Sequence, residues 1–490
     1  MRRFVWPLLV CIASAVLVGG ALAGSGTTLN SSKPTWWEKL QHVSATGLSP
    51  NEGGPGTSIQ VGANVDVSNE IGPQSETSIA TKPGDPGTVV AGSNEIDRLP
   101  MRGYFSNDGG KSYGGVDLPL PDPTKSNGFD FGSDPGVAWD SLGNVYYSYI
   151  VVFFSSGGAV VGSELAVARS SDDGQTWTPT YWNFENGGAK FNDKPMITVD
   201  NNRASPYFGT VYVAWDTTNG AQGKPSTTGV VVSRSTDHGT TFSTPVFASA
   251  THAGPHFGIG ADPFVAPDGT LHVAWHDQTN AIVESSSTDG GQSFGATHLI
   301  ASTNVSFDIA APAESTRGVL IYPSCDSDRS TGPNRGSLYC VWEDETTTGD
   351  GLDVFSSRST DGGQTWSSPL RVNDDAHGLA NDQFYQWLSV DPSNGSLNVS
   401  FYDTRLDPTH LSTNVYYARS TDGGLSYSPN VRVTDASTNE TCCGAQLGDQ
   451  YGDYEGMSAV NGVVRPIWTD RREAVQALNE EVFSSTIRTR

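Results

Sequence analysis

Apolar and polar residues alternate with a period of two along many short runs of this chain, and turn-forming residues separate the runs. Gly229-Val-Val-Val-Ser-Arg234 and Asn414-Val-Tyr-Tyr-Ala-Arg419 read as strands half-buried in a sheet. Ahead of such a strand lies a repeated pair: an Asp-led strand, a turn, and an apolar strand ending in an acid. Asp262-Pro-Phe-Val-Ala-Pro-Asp-Gly-Thr-Leu-His-Val-Ala-Trp-His-Asp277 is one copy, and Ser133 to Tyr147 is another. A fourth strand follows, as in Pro245-Val-Phe-Ala248 or Leu370-Arg-Val-Asn373. Four short strands per repeat predict the blade of a β-propeller.

Between the third and fourth strands an octapeptide recurs six times, as Ser-x-Asp-x-Gly-x-[Ser/Thr]-aromatic. Its copies begin at Ser106, Ser170, Ser235, Ser287, Ser359 and Ser420, with their aspartates at Asp108, Asp172, Asp237, Asp289, Asp361 and Asp422. The Asp carboxylate accepts backbone N–H groups of its own turn, Gly supplies backbone angles that other residues resist, and the aromatic plugs the loop onto the sheet. The octapeptide closely resembles the Asp box, or BNR repeat, of the sialidase superfamily. The resemblance implies a propeller with its boxes on the face away from the active site, so the box aspartates are scaffold.

The boxes recur about every 63 residues, against the ~40–45 of a WD40 blade. A seventh strand pair without a box runs from Gly452 to Val460 and from Val463 to Asp470, and Glu481-Val-Phe-Ser-Ser-Thr-Ile487 follows. That blade lacks one strand, and Ser58 to Val67 is a strand without a local partner. The expectation is therefore an all-β, seven-bladed propeller of four-stranded antiparallel blades, closed by its N-terminal strand over residues 57–490. The six-bladed sialidase propeller is the alternative.

Residues 1–23 read as a signal peptide, with Arg2 and Arg3 before an apolar stretch and Ala21-Leu22-Ala23 as the cleavage site. Residues 24–56 read as a tether with a short helix around Trp36-Trp37. A secreted, extracellular protein is expected, free of the membrane once the signal is cleaved and monomeric. The chain carries 28 basic against 53 acidic residues, a net charge of −25. Such acidity argues against a nucleic-acid partner and against docking on anionic lipid. In an oxidising compartment Cys325 and Cys340 are placed to cross-link neighbouring strands, and the adjacent Cys442 and Cys443 to form a vicinal disulfide.

Acids recur at the ends of second strands (Asp216, Asp277, Asp344, Asp403, Asp470) and at the openings of first strands (Asp134, Asp193, Asp262, Asp382). Loop capping accounts for such a ring, and Ca²⁺ held by Asp403, Asp470 and Asp453 is the functional alternative, no other cofactor being required. His252, His256, His272 and His276 crowd one blade without diagnostic metal spacing. Arg98, Arg405, Arg471 and Arg472 depart from the repeat and suit a carboxylate ligand, salt bridges to the neighbouring Asp97, Asp403 and Asp470 being the alternative. Tyr385 and Trp387 are candidates for a sugar-stacking surface.

The resembling sialidases place three arginines on the sugar carboxylate, a tyrosine nucleophile paired with a glutamate, and an aspartate acid/base. Carried over, these roles fall on Arg98, Arg405 and Arg471, on Tyr454 with Glu455, and on Asp97. Arg98-Leu99-Pro100 is similar to the family's Arg-Ile-Pro motif, although it follows the second strand of its blade. Two functions stay open: a sialidase-like glycoside hydrolase acting on extracellular glycans or glycoconjugates, and a propeller that binds a glycan or a protein without turnover.

Overall fold

The computed structural model describes residues 59–489 apart from positions 69, 71, 122–124, 188–189, 220–227, 250–257, 278, 346–350, 377–379, 443–444, 446–449 and 473–479. The expected signal peptide and tether lie outside the described residues, as do Cys443, His252 and His256.

Among the described residues thirty strands form seven four-stranded antiparallel blades and one two-stranded ribbon. Listed from the inner strand outward, the first blade is β2 (Gln74–Thr81), β3 (Val89–Glu95), β4 (Arg102–Ser106) and β5 (Gly114–Asp117). The second is β6 (Asp130–Trp139), β7 (Val145–Phe154), β8 (Val160–Ser170) and β9 (Thr178–Asn186). The third is β10 (Lys190–Val199), β11 (Val211–Asn219), β12 (Thr228–Ser235) and β13 (Val246–Phe247). The fourth is β14 (Ile259–Val265), β15 (Leu271–His276), β16 (Ala281–Ser287) and β17 (His298–Ser302). The ribbon, β18 (Asp308–Ile309) and β19 (Val319–Leu320), comes before the fifth blade of β20 (Ser324–Ser327), β21 (Leu338–Glu345), β22 (Leu352–Ser359) and β23 (Leu370–Arg371). The sixth is β24 (Gln383–Val390), β25 (Leu397–Asp403), β26 (Asn414–Ser420) and β27 (Val431–Arg432). In the seventh, β28 (Gly456–Val460) and β29 (Val463–Asp470) are followed by β30 (Glu481–Thr489), and β1 (Ile59–Asp66) is the outer strand. The blades number seven, not six. β1 pairs with β30 from Ile59↔Thr489 to Asp66↔Phe483, so the strand without a local partner closes the ring.

Six of the seven second strands bury one large side chain at the same register, Tyr149, Trp215, Trp275, Trp342, Phe401 and Trp468, whereas the first blade has Ser93 there. These six side chains, each at most 1% exposed, fill the space between neighbouring sheets. The open edge of an inner strand is satisfied by the blade next to it. Val137 N donates to Ser78 Oγ at 3.0 Å, Leu388 N to Ser324 Oγ at 3.0 Å, and Ala459 N to Ser389 Oγ at 3.0 Å.

The boxes form as their chemistry predicts. In the fourth blade Ser287 Oγ donates to Asp289 at 2.7 Å, and Asp289 also accepts Gln292 N and Ser293 N at 2.9 Å each. Slight desolvation is outweighed by these hydroxyl and amide donors, which hold Asp237, Asp289 and Asp422 down at about 2. The box aromatics wedge between blades, Phe242 stacking on Trp182 with ring centroids 4.0 Å apart. Cys325 and Cys340 stand directly opposite each other on β20 and β21 and are disulfide-bonded.

Candidate functional site

Inner strands break register near their starts. The breaks fall between Ser75 and Ser78, Ser133 and Gly136, Asp193 and Met196, Ile259 and Asp262, and Phe384 and Trp387. Each is a bulge, which re-aims one residue out of the sheet. Glu76, Asp134, Lys194, Gly260 and Tyr385 occupy it, with φ of 51°, 61°, 50°, 74° and 49°. Four of the five are not glycine, so the left-handed backbone is held against its intrinsic cost, a strain that gathers at functional sites. Matching the bonds between blades places Tyr322 and Tyr454 at the same position in the fifth and seventh blades. A Cβ built on Gly260 would meet the Tyr322 ring at 1.9 Å, so this glycine makes room for the tyrosine.

Around the axis this position, a bulge in five blades, therefore reads Glu, Asp, Lys, Gly, Tyr, Tyr, Tyr, which no scaffold repeat would require. The ring is buried, Glu76 and Tyr385 being 3% exposed and Lys194 5%. The Lys194 ammonium pairs with Asp453 and lies over the rings of Tyr322 and Tyr454, 4.9 and 5.4 Å from their centroids. Arg317, on the segment between β18 and β19, reaches the same ring. Its Nη2 stands 2.5 Å from Asp453 Oδ1 and 3.2 Å from Glu76 Oε1. Asn94 Nδ2 donates to Glu76 Oε2 at 2.8 Å, and Asn94 Oδ1 accepts Asp134 N at 2.8 Å, tying the first two bulges together.

This geometry sorts the acids. Burial, reinforced by Asp453 and Asp134, pushes Glu76 well above the ordinary carboxylate range despite Lys194 and Arg317. Asp453 is equally buried, but Lys194 and Arg317 overcome the desolvation and hold it ionised. Desolvation also works against the Lys194 charge, and Asp453, Tyr322, Glu76 and Asp134 together keep it protonated. Asp193 is driven upward by burial and by the neighbouring Asp134, which stays low through Lys194 and the Asp193 hydrogen bond. A protonated and an ionised carboxyl thus meet at one guanidinium nitrogen.

The first-strand acids turn out not to be equivalent. Asp262-Pro263 looks like Asp134-Pro135 in sequence, yet Asp262 lies two residues past its bulge, Asp193 one before and Asp382 three before. The residue that matches Asp134 is Lys194. Asp277, Asp344, Asp403 and Asp470 do share a register at the ends of second strands, while Asp216 sits one residue further in.

Of the residues expected to act, Tyr454 reaches the ring, its hydroxyl donating to Pro135 O at 3.3 Å. Glu455 turns away from it, bonding Thr77 and Tyr402 and accepting Thr469 N at 3.0 Å, and burial pushes it up to about 8. Asp97 is exposed in the turn after β3. Tyr385 is in the ring with its hydroxyl on Gly318 O at 3.1 Å, and Trp387 lies below it, 6.5 Å from Tyr454 between ring centroids.

The four arginines are spread over three blades, the first, sixth and seventh, and engage different carboxylates. Arg98 pairs with Asp117 at 2.6 Å and Glu70 at 3.4 Å. Arg405 pairs with Asp374 at 2.6 Å and Asp403 at 2.7 Å. Arg471 is buried beside Glu440 and Glu480, at 3.8 and 3.5 Å. Arg472 pairs with Asp470 at 2.6 Å and with Asp435. Asp403 and Asp470 are thus bound to their own arginines, and Asp453 to the ring cations. Among the described residues no group of three or more His, Cys, Asp or Glu side chains is placed to hold a metal ion. His272 lies 3.1 Å from Glu284 and stacks on Phe264, and burial pushes His276 down to about 4.

Below the ring the axis is open. A cavity of about 540 Å³ runs from Ser78, Trp387 and Gly456 to the turns joining first and second strands, where Asn201, Arg329 and Asn461 line it. Those turns share a face with the boxes, as the bond from Gly109 N to Gly87 O (2.9 Å) shows.

No protein-family model matches this chain, and no curated protein matches its sequence. Several solved structures show a distant likeness. A protein of unknown function from Dyadobacter fermentans is 15% identical with a TM-score of 0.47, over 73% of this chain and 95% of that one. A leech intramolecular trans-sialidase complexed with 2,7-anhydro-Neu5Ac is 14% identical at 0.47, over 74% and 69%. A Penicillium chrysogenum α-L-arabinanase complexed with arabinobiose is 11% identical at 0.44, over 88% and 99%.

Proposed function

We propose that this protein hydrolyses glycosidic bonds of extracellular glycans at the propeller axis, on the face away from the boxes. The observation that carries the reading is the contact of Arg317 Nη2 with both Glu76 and Asp453. Two carboxyls sharing one nitrogen have oxygens within ~6 Å of each other, close to the ~5–5.5 Å of retaining glycosidases. Glu76, protonated, gives its proton to the glycosidic oxygen as that C–O bond breaks. Asp453, held ionised, bonds to the anomeric carbon. Water then attacks that carbon, giving its proton to the Glu76 carboxylate and releasing Asp453. In this reading Asp453 takes the part expected of Tyr454, whose paired glutamate faces elsewhere. Lys194 and Arg317 keep Asp453 charged, and Asn94 orients Glu76.

The second reading, a propeller that binds a glycan or protein without turnover, is favoured by the burial of Glu76 and Asp453, each only 3% exposed. Turnover of fluorogenic glycosides, α-sialosides and pentosides included, separates the two. Wild-type protein is expected to turn over at least one substrate, Glu76→Gln and Asp453→Asn to lose about 10²–10⁴-fold in kcat, and Tyr454→Phe to retain activity. The rate falls as pH rises through the Glu76 pKa, because the acid must carry its proton. Folded protein inert on every substrate overturns the hydrolytic reading in favour of the binding one, and unchanged kcat in Glu76→Gln removes Glu76 from the chemistry.

A further inference from the structure

We propose that the axial cavity on the box face is a second binding site, for an organic anion with a ring-sized apolar body. It is separate from the reaction proposed above and stands whether or not that reaction occurs. Its volume, about 540 Å³, falls in the ~300–1,000 Å³ range of small-molecule sites. The interior is built for an apolar ring: Trp139, Phe264, Trp387 and Met457 line it together with backbone edges whose N–H groups neighbouring blades satisfy.

The mouth selects charge. The turn between β20 and β21 spans residues 328–337 and places Arg329 and Arg335 on the cavity wall, in a chain whose net charge is −25. Arg329 pairs with Asp326, which also accepts Val390 N at 2.9 Å. Arg335 is anchored differently. Its Nη1 donates to two carbonyl oxygens, Arg329 O at 2.7 Å and Ser330 O at 2.8 Å, so the guanidinium is positioned without its charge being cancelled by these partners. Asp328 N and Ser337 O bond at 2.9 Å across the base of this turn, and the Cys325–Cys340 disulfide cross-links the strands just beyond. A turn braced in this way presents its cations at fixed positions, as recognition of an anionic head group requires.

Titration with 8-anilinonaphthalene-1-sulfonate, an aromatic sulfonate of suitable size, tests the site by fluorescence on the full protein. Saturable one-to-one binding that weakens as salt is raised is expected. Arg335→Glu should weaken it at least tenfold. Ser393→Trp, on an exposed turn at the mouth, should abolish it by blocking access, with thermal melts of both variants like that of wild type. Absence of saturable binding, or affinities within twofold of wild type in both variants, overturns the proposal.

Discussion

Glu76 and Lys194 hold the same position in their blades, yet each keeps a proton for a different reason. Burial neutralises the acid, whereas partners keep the base charged despite burial. The Lys194–Asp453 pair is therefore one unit. Lys194→Met leaves Asp453 with Arg317 alone and should cost about 3–5 kcal/mol, the usual penalty for stranding a buried charge. The double variant Lys194→Met/Asp453→Asn should recover most of that loss in denaturant unfolding. Additive losses would show that the pair is not coupled. Several of these residues were visible in sequence as chemistry but not as a set. Tyr385 and Trp387 could be named as a stacking surface, Tyr454 through the resemblance and Asp453 as a Ca²⁺ ligand. Glu76 and Lys194 could not, since a bulge shifts the register by one and the tempting match of Asp262-Pro263 to Asp134-Pro135 is false. Aligning the first strands on Asp134-Pro135, Lys194-Pro195 and Tyr322-Pro323 would have exposed the ring. Arg317 carried no such signal, because its segment has no counterpart in other blades.

At the level of elements, the repeat was legible because every box must satisfy the same local hydrogen bonds. Asp289→Ala deletes the acceptor of Gln292 N and Ser293 N and should lower stability by about 1 kcal/mol, a hydrogen-bond loss reduced by solvent exposure. Substitution in any one box should leave activity and the other blades intact, measured by kcat and by circular dichroism. The disulfide acts on the unfolded chain instead. It closes a loop of 15 residues, and Cys340→Ser should cost about 3 kcal/mol in the chain-entropy account. Equal melting temperatures for the oxidised wild type and this variant would contradict it. The arginines at the blade ends show where local reasoning stops. Sequence marks them as departures and offers the adjacent Asp403 and Asp470, which Arg405 and Arg472 do engage, but not the distant partners that Arg98 finds in Asp117 and Glu70 and Arg471 in Glu440 and Glu480.

For the whole molecule, opposing groups of acids set the pH dependence of stability. Burial raises Glu455 and Asp262 to about 8, Glu95 and Asp216 to about 7, and Asp344 and Asp403 to about 6. The folded state therefore keeps protons that the unfolded chain, with carboxyls near ~4, has already released. Stability falls as pH rises from about 4 towards 8. The box aspartates act in the opposite sense, since their folded values lie at about 2 and their contribution is lost as pH falls through that range. Thermal melts at fixed ionic strength should peak near pH 4–5, below the common pH 5–8 optimum. A maximum at pH 7 or above would refute this assignment of buried protons.

The pairing of β1 with β30 also sets an order of events in time. Ile59 meets Thr489, and closing a loop of roughly 430 residues costs about 5 kcal/mol in chain entropy. During synthesis β1 emerges first and must wait, unpaired, until the last strand is made. Six blades can form from neighbours in sequence, but the seventh cannot. The same seam delays escape from the folded state, because neither β1 nor β30 can peel away without opening the blade that joins them. A chain locked in this way should owe its persistence among proteases to slow unfolding more than to a large equilibrium free energy.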